Sequence, residues 1–101
     1  MKLRSVAVMA IVLATAEPAL AGAIENACLK SQRGNNQRSL CGCIQDAADI
    51  TLTPSDQRLA ASFFANPDRA QRVRTSDRRS DESFWERYRN FGNTAQVYCT
   101  R

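Results

Sequence analysis

The stretch from Thr53 to Glu82, TPSDQRLAASFFANPDRAQRVRTSDRRSDE, holds three helix starts and decides the fold class. Thr53-Pro54-Ser55-Asp56 has a capping hydroxyl, a proline at the first helical position and an acid three residues after the cap. Asn66-Pro67-Asp68 repeats the cap-then-proline order. Ser80-Asp81-Glu82 supplies a cap and puts acids in a first turn, where the helix dipole favours them. Strand-like alternation of Val, Ile and Thr is absent. The chain is therefore predicted to be all-α, a small bundle of four to five short helices.

Outward from that stretch, helices are expected at roughly 23–32, 36–51, 54–65, 67–77 and 81–98. Gly34 stands where a left-handed C-terminal cap of the first helix belongs. In the last helix Phe84, Tyr88, Phe91, Ala95 and Tyr98 fall on one face. Gly92 interrupts that helix, so a kink or break is expected there. Leu59 and Phe63, with Ala60 and Phe64 beside them, and Leu40, Cys43, Ile44 and Ala47 complete the predicted core. Trp85 and Arg89 are four apart and suit a surface cation–π pair.

The N-terminus reads as an export signal. Lys2 and Arg4 precede an apolar run from Val6 to Ala16, then Pro18 and Ala19-Leu20-Ala21. That run is too short to span a bilayer, which needs about 20 apolar residues. Residues 1–21 are thus expected to be cleaved, after Ala21 or alternatively after Ala23. Cleavage after Ala21 leaves residues 22–101 as a single domain with 12 basic and nine acidic side chains. A periplasmic or secreted location follows, with no transmembrane segment in the mature chain.

A domain this small needs staples, and Cys28, Cys41, Cys43 and Cys99 provide them as two disulfides. Cys41 and Cys43 point about 200° apart on a helix, so each ties to a different element. Either Cys28–Cys41 with Cys43–Cys99, or the crossed pairing, satisfies the spacing; the first is favoured because Cys43 shares a stripe with Leu40 and Ile44. A closed Cys41-Gly42-Cys43 ring would be strained, and would instead give a thiol–disulfide redox protein.

Composition removes many chemistries. The chain has no His, and its two Met residues, Met1 and Met9, leave with the signal. Imidazole acid–base work, Ser/His and Cys/His nucleophiles and Met/His copper sites are therefore excluded. With no phosphate loop or standout carboxylate couple, we expect no enzyme, no metal and no cofactor. Arg69, Arg72, Arg74, Arg78 and Arg79 form a candidate patch for an anionic partner. Interleaved Asp77 and flanking acids favour a solvated face with i,i+3 and i,i+4 pairs instead. Nucleic acid is not an expected partner of an exported chain. The second helix breaks the dipole rule, with Arg38 in its first turn and Asp46 and Asp49 near its end. Pairing with neighbouring arginines explains this; alternatively Asp46 and Asp49 serve a small cationic ligand.

The segments Glu25-Asn26-Ala27-Cys28, Leu40-Cys41-Gly42-Cys43-Ile44-Gln45, Asp56-Gln57-Arg58, Ser76-Asp77-Arg78-Arg79-Ser80, Phe84-Trp85-Glu86-Arg87-Tyr88 and Tyr98-Cys99 resemble a group of short exported alphaproteobacterial proteins whose usual label is "arginine transporter". The resemblance covers nearly all of residues 22–101. It implies a non-enzymatic binding or accessory role in arginine or cationic-solute uptake. A mature chain without a membrane span is no permease, so accessory binding is the form such a role would take. The other class left open is an envelope protein-interaction factor, inhibitor or immunity-like, with an envelope protein as partner.

Overall fold

The computed structural model describes residues 22–99; the export signal expected at residues 1–21 lies outside them. Five helices follow in order: α1 (Ala23–Lys30), α2 (Arg38–Thr51), α3 (Pro54–Ala65), α4 (Pro67–Arg74) and α5 (Arg79–Cys99). No strand occurs among the described residues. None of these helices is long and apolar enough to cross a membrane.

The three start signals are met to different degrees. Thr53 closes a full capping box, with its hydroxyl accepting from the Asp56 N–H at 3.0 Å and Asp56 Oδ2 accepting from the Thr53 N–H at 3.2 Å. Pro67 opens α4 as expected, but the Asn66 side chain makes no capping bond; its carbonyl accepts from the Arg69 N–H instead. The last helix begins at Arg79, so Ser80 sits inside its first turn rather than capping it. The hydroxyl used in that approach is Ser76, which accepts from the Arg78 N–H. Asp81 and Glu82 do occupy the first turn.

The link between α1 and α2 also departs from expectation. Asn36, not Gly34, takes the left-handed conformation, with φ 63°. Gly34 is buried, and a side chain there would come within 2.0 Å of the Cys28 carbonyl oxygen. Close backbone approach, not a left-handed cap, is what demands glycine at that position.

α2 lies between α1 and α5, and both pack against it. That placement rotates its buried face from the predicted one. Cys41, Gln45, Ala47 and Ala48 are buried, while Leu40, Cys43 and Ile44 are only half-buried. The core joins Ile24, Ala47, Ala48, Leu52, Ala60, Phe63, Phe84 and Phe91. Phe63 meets the edges of Phe84 and Tyr88 at centroid distances of 6.0 and 5.3 Å, and Tyr88 stacks on Phe84 at 5.6 Å. Trp85 packs on Tyr88 at 4.9 Å, rather than pairing with Arg89.

α5 runs unbroken through Gly92. Its predicted stripe is buried or half-buried from Phe84 to Ala95, but Tyr98 is 73% exposed. At that last turn α5 meets α2 through Cys99, whose disulfide to Cys43 makes the contact the tyrosine was expected to make. Phe64 likewise sits at the edge of the core, 36% exposed.

The disulfides are Cys28–Cys41 and Cys43–Cys99. The favoured pairing holds, though the reason for it does not. Cys41 is wholly buried against α1, and Cys43 is the half-exposed partner facing α5. Two such bridges fit an oxidising, extracytoplasmic compartment.

Candidate functional site

A cleft with polar side chains in its lining forms where α1 begins, beside the end of α2 and the start of α3. Gly22 accepts from the Asn26 N–H at 3.1 Å with φ 105°, a conformation open to glycine. A side chain at residue 22 would collide with the Gln45 amide. Gln45 itself is buried, at 6% exposure, and its hydrogen bonds account for that burial. Its Oε1 accepts from the Glu25 N–H at 2.8 Å, satisfying a first-turn donor of α1. Its Nε2 donates to Asp49 Oδ1 at 2.8 Å and to Gln57 Oε1 at 2.7 Å. Gln57 Nε2 donates to the same Asp49 oxygen at 3.2 Å and reaches the Ala48 and Leu52 carbonyls at 3.4 Å.

This network answers the dipole anomaly of α2. Its last turn has no basic residue, and Asp49 is held by amide donors rather than by arginines of neighbouring helices. Both amides converge on Oδ1 of the exposed Asp49. Asp49, Gln45 and Gln57 line a cleft of about 500 Å³ together with Asn26, Pro54 and Arg58. Asp49 and Arg58 are both exposed, and no ion pair joins them. Asp46, the other acid singled out in the sequence, is exposed and is not part of the cleft wall.

The candidate arginine patch runs along α4 and the approach to α5. Arg69, Arg72, Arg74, Arg78 and Arg79 are all exposed. The expected helical ion pairs are not what holds them, since Arg87–Asp56 is the single ion pair among the described residues. Arg74 bonds an amide, Gln71 Oε1, at 2.8 Å. No cluster of three potential metal ligands occurs among the described residues. Cys41 and Cys43 send their sulfurs to separate bridges, so no Cys41–Cys43 ring forms.

Sequence reasoning missed Gln45, Gln57 and Arg58. A glutamine inside an apolar stripe, Cys41-Gln45-Ala48-Leu52, was the available signal for Gln45. Gln57 and Arg58 reach the cleft only through the way the extended two-residue link Leu52-Thr53 sets α3 against α2, which no local pattern encodes. Comparison with family models, curated proteins and solved structures returns no match to this chain.

Proposed function

We propose that this chain is an exported, disulfide-stapled binding module of the periplasm that takes a small cationic or zwitterionic solute, arginine being the first candidate, as an accessory to its uptake. The observation that carries this reading is the cleft beside Gln45. There a carboxylate, Asp49, and a guanidinium, Arg58, both line the cleft without pairing to each other. An amino acid has the complementary charges. Its cationic end suits Asp49 and its carboxylate suits Arg58, with charge-assisted hydrogen bonds at both. The amides of Gln45 and Gln57 fix the Asp49 carboxylate beforehand, which lowers the ordering cost of binding. The resemblance to exported proteins labelled "arginine transporter" points to the same ligand class.

Thermal unfolding with and without L-arginine tests it. A ligand of the native state stabilises by RT ln(1 + [L]/Kd), so millimolar arginine should raise the Tm. Asp49→Asn should abolish the shift. Agmatine, which lacks the carboxylate, should bind more weakly than arginine to the native protein and equally to Arg58→Gln. No shift from arginine, with a folded sample, would sink the proposal.

A second reading, an envelope protein-interaction factor, is favoured by Val97 and Tyr98, each 73% exposed on the last turn of α5. It requires that a defined partner protect that turn from hydrogen exchange.

A further inference from the structure

On the other side of Ala23 and Asn26 from the Asp49 cleft, α1 and α3 leave a trough between them. Its floor is built from short side chains one helical turn apart: Ala23 and Ala27 on α1, Ala61 and Ala65 on α3. Phe64, 36% exposed, forms one wall. This part measures about 260 Å³. It continues past Lys30, Ser31 and Phe64 into a second hollow of about 660 Å³, bounded by Arg33 and Pro67. Lys30 and Arg33 are exposed there, and no acidic residue lines either part.

An apolar floor leading to a mouth with two cations and no anion has a definite complement. We infer that the trough binds a single-chain anionic amphiphile, its alkyl chain along the alanines and Phe64 and its head group between Lys30 and Arg33. Hydrocarbon on the floor removes apolar surface from water on both sides. The mouth selects the sign of the head group. A peptide strand would find no sheet edge to extend here. The chemistry is shared by fatty-acid carboxylates and by monoalkyl phosphates.

Calorimetric titration of the exported, processed protein with dodecanoate, dodecyl phosphate and dodecyltrimethylammonium, each below its micelle concentration, tests the inference. One or both anions should saturate at one per chain, and which one binds tighter identifies the head group. The cation should not saturate. Lys30→Glu/Arg33→Glu should weaken anion binding by at least about tenfold. Amide and methyl shifts should move at Ala27, Ala61 and Phe64. Absence of saturable anion binding, equal binding of the cationic surfactant, an unchanged affinity in the folded double variant, or shift changes confined to the last turn of α5 would each overturn it. Neither the arginine titration nor Asp49→Asn bears on this trough, so the two readings stand or fall separately.

Discussion

Arg87 grips Asp56 with both arms of a fork, Nε to Oδ2 at 2.7 Å and Nη2 to Oδ1 at 3.0 Å, across 31 positions of sequence. The same Asp56 carboxylate completes the capping box of α3. One acid thus helps cap the start of a helix and clamps that helix to α5. Asp56 is 8% exposed at its side chain and Arg87 is 44% exposed, so the pair is only partly screened by solvent. Asp56→Ala removes one of the two bonds of the capping box, worth about 0.5–1 kcal/mol, and charged hydrogen bonds to Arg87 worth about 1–2 kcal/mol after allowance for that exposure. Arg87→Gln keeps the cap and should cost about 1 kcal/mol. Urea unfolding of the two single variants and the double variant should return a favourable coupling. Additive losses would mean the fork holds nothing beyond the cap.

The same contact sets an acid limit. The Arg87 hydrogen bond holds the Asp56 carboxyl below the usual carboxylate range; burial opposes this, and the Thr53 N–H adds to the lowering. In the unfolded chain the group protonates first, near pH 4. Below that pH the unfolded state carries the extra proton, so stability falls as pH falls. The Asp56 contribution is complete above about pH 4 and disappears as pH drops through the lower folded value. The urea midpoint should decline below pH 4, and Arg87→Gln should flatten part of that decline. A decline identical in both proteins would assign it to other carboxylates.

Two glycines should respond in opposite directions to alanine. At Gly92 a Cβ would meet nothing within 4 Å, and the surrounding helix is continuous. Gly92→Ala should therefore stabilise by about 0.5–1 kcal/mol through helix propensity and the unfolded state. At Gly34 the added carbon would fall on the Cys28 carbonyl, which is backbone and cannot rotate away. Gly34→Ala should cost about 1–3 kcal/mol by overpacking. Thermal melts of both variants in one buffer check the pair. A destabilised Gly92→Ala would show that the helix needs flexibility there.

The helices were legible because their signals are local. Thr53-Pro54 with Asp56, Pro67, and the acids at 81 and 82 each act within one turn, and each marks a real helix start to within a few residues. What was not legible depends on where helices lie relative to one another. The face of α2 that is buried follows from α1 meeting it at Cys41 and Gln45 while α5 is tied to it at Cys43, and no periodicity within 38–51 distinguishes those sides. The Gln45–Asp49–Gln57 network has the same origin. Asp49 stood out through its charge near a helix C-terminus, a local anomaly. Its partners stayed hidden because one comes from a neutral amide and the other from the next helix. Asp56–Arg87 left no trace, since a capping acid already has a local explanation.

The two disulfides should differ in both energy and order of reduction. Cys28–Cys41 closes a sequence separation of 13 and Cys43–Cys99 one of 56. Chain entropy alone assigns them about 3 and about 4 kcal/mol. Cys28 and Cys41 are buried, at 3% and 0% exposure, whereas Cys43 and Cys99 are half-buried. An attacking thiolate therefore reaches Cys43–Cys99 first. Limited reduction followed by alkylation and peptide mapping should label Cys43 and Cys99 while Cys28 and Cys41 stay blocked. Because that bridge anchors only the last turn of α5, its opening leaves the packing of α1, α2 and α3 around Asp49 in place. Cys28→Ser/Cys41→Ser should be worse than loop length suggests, since each serine hydroxyl needs a partner in a buried site. If Cys28 and Cys41 were labelled first, α1 would be the mobile element, and the cleft it helps to form would lose its preset shape.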